Sequence, residues 1–155
     1  MTNDVAYLLG QIYGKITSIN PHWSNPGIEQ QVLLHPMNSI TEIYLKAMKS
    51  HSIDPQTEKY ISLRFDEIDA EEAMESATTA ELKSAIVIGI NSGKNPRTAK
   101  ELIARIDLNQ GEIAQRLGIN PNTIGRWVNG KTPLSEENRF KLEQLRRIVE
   151  NEKNK

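Results

Sequence analysis

Between residues 108 and 130 the chain reads LNQGEIAQRLGINPNTIGRWVNG, and its Gly118-Ile119-Asn120-Pro121 step leaves little freedom in how it folds. Glycine takes the left-handed backbone conformation that ends a helix within a residue. Asn-Pro starts another helix at once, since asparagine is a strong N-cap and proline is preorganised for the first helical position. Two short helices joined by a tight turn follow. Asn109 opens the first, with Glu112 three residues on to complete a capping box. Its apolar face is Ile113, Ala114 and Leu117. In the second helix Ile124, Trp127 and Val128 form the buried side, and Asn122, Thr123 and Arg126 the opposite, polar one. A short helix exposing Asn, Thr and Arg near its N-terminus suits the major groove of DNA, whose base edges present donors and acceptors. The pattern points to a device for reading duplex DNA.

The same stretch resembles the helix-turn-helix of the lambda-repressor/Cro (XRE) family. There a Leu-Ser/Thr-Gln opening leads through Ala and Leu-Gly to a Trp or Phe and an Asn-Gly. Here those places hold Leu108, Asn109 and Gln110, then Ala114, Leu117-Gly118, Trp127 and Asn129-Gly130. The continuation PLSEENRFKLEQLRRIV matches the family's next helix, with Ser135 as its cap and Phe140, Leu142, Leu145 and Ile148 on its inner side. The resemblance spans residues 97–150 and implies an all-α, lambda-repressor-like DNA-binding domain there, in a transcription regulator that represses. By the same likeness Gln110, Asn129 and Lys131 position phosphates, and Asn120 joins Asn122, Thr123 and Arg126 in the DNA interface. Asn109 stands where Ser or Thr is usual, which keeps the cap. Pro121 takes a place the family often gives to a base-reading residue. Proline cannot donate a hydrogen bond, so readout shifts to Asn122, Thr123 and Arg126.

Charge divides the chain in the same way. Residues 96–155 hold 12 Lys and Arg against 8 Asp and Glu, a net of +4, whereas residues 1–95 hold 7 against 12, a net of −5. The basic segment can neutralise phosphates. The acidic remainder is expected to face away from DNA or to meet another protein.

Other function classes find little support. His22, His35 and His51 lie 13 and 16 residues apart, too scattered for a metal-binding pair on one helical turn. There is no nucleophile elbow and no phosphate-cradling glycine loop. The acidic run at residues 66–76 lacks the Asp, Asn and Gly spacing of a calcium loop and reads as a solvated helix face or connector. No enzyme activity, metal or cofactor is expected. No apolar run approaches a membrane span and no signal peptide is apparent. Absence of cysteine gives no disulfide framework, and a cytoplasmic location is the natural expectation. The last six residues, ENEKNK, read as a fraying tail.

Residues 1–93 read as all-helical. Val5, Leu8, Leu9, Ile12 and Ile16 form a stripe from about Asp4 to Ile19, ended by Asn20-Pro21 and the loop PHWSNPG. A short helix over residues 28–35 is expected before Pro36. Asn38 caps another, with Ile40, Ile43, Tyr44, Ala47 and Met48 on one face. Asp54-Pro55 opens a fourth, with Ile61, Phe65 and Ile68 inward. Thr78 and Glu81 box a fifth, in which Ile86, Val87, Ile88 and Ile90 are buried and which Gly93 ends. The stretch 92–96 is the expected domain boundary.

The stretch AYLLGQIYGKI, residues 6–16, is similar to the start of the carboxy-terminal helical region in the large subunit of type I-C CRISPR surveillance complexes. Ala6 to Gly10 match and Gln11 stands where Arg is usual, while Ile88-Gly89 falls near where that region has Leu-Gly. The likeness implies a phage or mobile-element protein that binds or mimics such a complex, with CRISPR subunits as partners. One reader helix touches too few base pairs for useful specificity. A homodimer on an inverted repeat is therefore expected, joined through residues 1–93.

Overall fold

The computed structural model describes residues 1–73 and 79–154, and every regular element among them is helical. The chain divides into two compact units, Met1–Pro96 and Arg97–Lys155. No helix among the described residues is long and apolar enough to cross a membrane.

The first unit is built around α1 (Asn3–Ile19), started by Thr2, whose hydroxyl accepts the Val5 N–H at 3.2 Å. Leu9, Ile12 and Tyr13 of α1 are wholly enclosed. After a 3-10 turn (Pro21–Trp23) come α2 (Pro26–Leu34), α3 (Pro36–Lys49), α4 (Pro55–Asp66), the single turn α5 (Ala70–Ala73) and α6 (Ala80–Lys94). Val32, Ile40, Ile43, Ala47, Tyr60, Ile61 and Ile86 close a core on α1. The Tyr13 hydroxyl donates to the Trp23 carbonyl at 2.6 Å and ties the 3-10 turn to that core. Burial pushes the Tyr13 phenol up to about 12.

A seam of glycines sets the distance between α1 and α6. A Cβ at Gly10 would collide with the Ile86 carbonyl oxygen, and one at Gly14 with that of Ile90. From the other side, a Cβ at Gly89 would strike the Tyr7 carbonyl and one at Gly93 that of Gln11. Each pair advances four residues on both helices, so the two run parallel with their backbones in direct contact. Small residues permit such an approach, and Cα–H···O contacts accompany it. Beside the seam lies a buried polar chain. Arg64 is fully enclosed, lies over the Tyr60 ring at 3.4 Å from its centroid, and donates from Nε to Gln11 Oε1 at 3.0 Å. Gln11 Nε2 in turn donates to the Tyr7 hydroxyl at 3.1 Å and to Ser92 Oγ at 3.2 Å.

Several expectations for this unit are corrected. Gly93 does not end a helix: α6 continues to Lys94, and Gly93 is there because α1 leaves no room for a Cβ. Val87 and Ile88 are 44% and 56% exposed, since α6 buries only the side turned to α1. Asn38 lies inside α3, which proline starts two residues earlier at Pro36 behind His35, a cap with no side-chain hydrogen bond. The second helix begins at Pro26, capped by Asn25 Oδ1 on the Ile28 N–H at 3.0 Å, so part of the expected loop is helical. The cap of α6 is Thr79, whose hydroxyl accepts the Leu82 N–H at 3.1 Å, and Thr78 lies outside the described residues. Asp54 does open α4, with Oδ1 on the Thr57 N–H at 2.8 Å. That bond holds the Asp54 carboxyl below its ordinary value.

The second unit comprises α7 (Ala99–Ala104), α8 (Gln110–Leu117), α9 (Pro121–Val128) and α10 (Glu136–Lys153). Leu102, Ile103 and Ile106 join Ile113, Ala114, Ile124, Trp127, Leu142, Leu145 and Val149 in its core. Phe140 is buried as expected, but Ile148 is 50% exposed and Val149 takes the inner position. Most of the expected carboxy-terminal tail is helical. Helix α10 extends to Lys153, which pairs with Asp107. Glu152 receives both Nη1 and Nη2 of Arg116 at 2.9 Å each, a fork that links α8 to α10.

Candidate nucleic-acid interface

Helices α8 and α9 are held by local chemistry at all four ends. Asn109 Oδ1 accepts the Glu112 N–H at 2.8 Å, and Glu112 Oε1 accepts the Asn109 N–H at 3.2 Å. That completes the capping box read from the sequence. At the other end Gly118 takes φ 67°, and the Ile119 N–H returns to the Ala114 carbonyl at 3.0 Å. Asn120 then starts α9 by accepting the Asn122 N–H on Oδ1 at 2.9 Å, with Pro121 in the first position. The end of α9 repeats the device. Gly130 takes φ 70°, its N–H reaches the Trp127 carbonyl at 3.2 Å, and the Lys131 N–H reaches that of Arg126 at 2.9 Å. This double closure is the Schellman arrangement, which satisfies the last carbonyls and fixes where the chain leaves.

Burial orients α9. Ile124 is fully enclosed and Trp127 is buried, with Val128 partly covered. Asn122 and Arg126 lie exposed on the other side, with Thr123 half-buried beside them. Asn120, Asn129 and Lys131 are exposed at the two ends of the helix. These six residues of the expected interface are thus gathered on and around one eight-residue helix. Gln110 stands apart from them in the chain, exposed at the first position of α8. Asn120 has its amide oxygen committed to the cap, which leaves the amide nitrogen to donate outward.

Some cations of this unit are held by its own carboxylates and others are not. Arg116, Arg139, Arg146 and Lys153 are each engaged by a carboxylate within the unit: Glu152, Glu136, Glu150 and Asp107 respectively. Among the described residues, neither Arg126 nor Lys131 has an ion-pair partner. Both sit at the outward end of α9, where their charge is open to an external anion.

Two features escape the sequence reading. Helix α7 is one, although Thr98 and Glu101 carry a capping signature: the Thr98 hydroxyl accepts the Glu101 N–H and donates to its carboxylate, both at 3.2 Å. Gly125 is the other. It lies one turn from both Asn122 and Asn129, and a Cβ there would meet nothing within 4 Å. The outer side of α9 is therefore low at its middle, and a bulky partner can approach its backbone.

Residues 100–145, from α7 into α10, match the family model described as helix-turn-helix. The match supports a DNA-binding helix-turn-helix of the lambda-repressor/Cro kind in this part of the chain. No curated protein and no solved structure gives a significant match to the chain.

Proposed function

We propose that this chain is a sequence-specific double-stranded DNA-binding transcription regulator, a repressor, acting as a homodimer. In this reading residues 97–150 bind DNA and residues 1–93 join the two copies. Its main support is the pairing pattern of the cations. Carboxylates of the second unit engage Arg116, Arg139, Arg146 and Lys153 and, among the described residues, leave Arg126 and Lys131 on and beside α9 open to phosphates or bases, as they leave Lys100 and Lys141 elsewhere. Asn122, Thr123 and Arg126 read base edges. Gln110, Asn129 and Lys131 hold the backbone, with Asn120 able to donate from its amide nitrogen. Gln110 sits at a helix N-terminus, where the macrodipole favours an anion. No cofactor is involved in this mechanism.

Selection of bound duplexes from a random pool, followed by titration of the selected site, tests the proposal. Arg126→Ala is expected to lose roughly 1–3 kcal/mol of discrimination at one or two base pairs while non-specific binding is nearly unchanged. Equal weakening on every sequence would make Arg126 a phosphate contact only. Lys131→Ala is expected to weaken all sequences alike and to lower the slope of log K against log salt by about one unit. An unchanged slope removes Lys131 from the footprint.

A second reading has one observation in its favour. The two stretches that carry the likeness to the CRISPR large subunit, residues 6–10 and 88–89, are packed on each other across the glycine seam. In that reading the first unit engages or mimics a CRISPR complex, and the helix-turn-helix controls the protein's own promoter. Co-purification with type I-C subunits, in amounts matching the chain, supports it; their absence leaves the regulator alone.

A further inference from the structure

The outer side of α6 differs from every other long helix surface among the described residues. At 3.6 residues per turn, Ile86, Gly89 and Gly93 share the side buried against α1. Ser84, Val87, Ile88, Asn91 and the cap residue Asn95 lie opposite, all of them exposed and uncharged, with the exposed Glu81 only at the start of the helix. By contrast α3 exposes Glu42, Lys46 and Lys49, α4 exposes Glu58, Lys59 and Asp66, and α10 exposes Glu137, Lys141 and Glu150. Charge depletion around exposed apolar side chains marks the centre of an interface more reliably than hydrophobicity alone.

Electrostatics and symmetry choose the occupant. Residues 1–95 carry a net charge of −5, so most faces of this unit would set like charges together if laid on their own copy. The middle of the α6 stripe, from Ser84 to Asn91, brings none. It is also self-complementary about a twofold axis passing between residues 87 and 88. An antiparallel copy then sets Val87 against the copy's Ile88 and Ile88 against its Val87 at the centre, and Ser84 against Asn91 on either side. The centre is apolar and the flanks can exchange hydrogen bonds, while a partner recruited by charge would find nothing to pair with here. We infer that a second copy of this chain seats antiparallel on the outer face of α6. The inference rests on the dimeric reading given above and names its surface.

The absence of cysteine makes the test clean. Sedimentation of the intact chain is expected to give a dimer, and Ile88→Glu is expected to raise the dimer dissociation constant at least tenfold with helicity unchanged. Leu45→Glu, at an equally exposed place on α3, is expected to leave dimerisation as it was. Val87→Cys is expected to form an interchain disulfide under mild oxidation. A dimer that survives Ile88→Glu and fails to cross-link through Val87→Cys overturns the α6 surface but leaves the dimeric regulator standing. A monomeric wild-type chain overturns both.

Discussion

Replacing Trp127 with alanine is expected to unfold the carboxy-terminal unit. The side chain is buried at the junction of α7, α8, α9 and α10, in one cluster with Leu102, Ile113, Ile124 and Leu142. Removing a buried tryptophan costs roughly 3–5 kcal/mol. A unit of about 60 residues has only about 3–9 kcal/mol to lose. Helices α7, α8 and α9 are 6, 8 and 8 residues long, too short to persist once the common core is opened. The chain offers a convenient readout, because its other tryptophan, Trp23, lies in the first unit. In Trp127→Ala the remaining fluorescence reports on the first unit alone, while circular dichroism follows the loss of carboxy-terminal helix. Trp127→Phe is expected to retain the fold. An alanine variant with wild-type helicity and melting would place the indole at a surface and contradict the packing described.

The second large effect is expected at the glycine seam. Gly14→Ala adds one methyl group and would ordinarily strengthen a helix by about 1 kcal/mol. Here that methyl meets the Ile90 carbonyl, a backbone group that cannot swing aside as a side chain can. Overpacking of this kind costs about 1–3 kcal/mol or more, so the sign of the substitution is reversed. The double variant Gly10→Ala/Gly14→Ala must push α6 away along its whole length and is expected to leave the first unit unfolded or molten. Gly125→Ala is the matched control. With open space around it in α9, it is expected to gain roughly 0.5–1 kcal/mol. Urea titration reads both. A Gly14→Ala protein as stable as wild type would show that α1 and α6 are not in backbone contact.

The elements governed by local chemistry were legible in the sequence. Asn109, Asn120, Ser135 and Asp54 cap the helices expected of them, because a cap depends on a side chain and a backbone N–H two or three residues away. Gly118 and Gly130 end helices through left-handed backbone, again a local property. The errors fall where distant residues decide. Gly93 carries the signature of a stop, yet what it answers is the approach of Gln11, 82 residues earlier. Val87 and Ile88 look like core because they are β-branched, but one helix can bury only one side against one neighbour. Ile148 and Val149 are adjacent apolar residues, and the pattern alone does not tell which of the two follows Leu142 and Leu145 inward. Arg64, fully enclosed, gave no signal at all, since a buried arginine is recognisable only once Gln11 and Tyr60 are seen around it. On α9 the apolar pattern foretold that Asn122 and Arg126 would be exposed, but not which cations the unit's own carboxylates would engage.

The parallel contact of α1 with α6 also bears on how the protein is made. Helix α1 is covered on nearly every side in the finished unit, and its tightest neighbour lies some 80 residues further along the chain. During synthesis at about 5–20 residues per second, α1 therefore waits roughly 4–16 s before α6 emerges to cover it. Through that interval an apolar segment has no local partner of equal fit, the condition under which nascent chains associate with one another or are held by chaperones. The second unit has no such delay. Its links between helices, such as Arg116 to Glu152, 36 residues apart, span about half that distance, so it closes smaller loops and folds faster. Slow translation between α2 and α6 should thus lower the yield of soluble protein, while slowing within the last four helices should matter little.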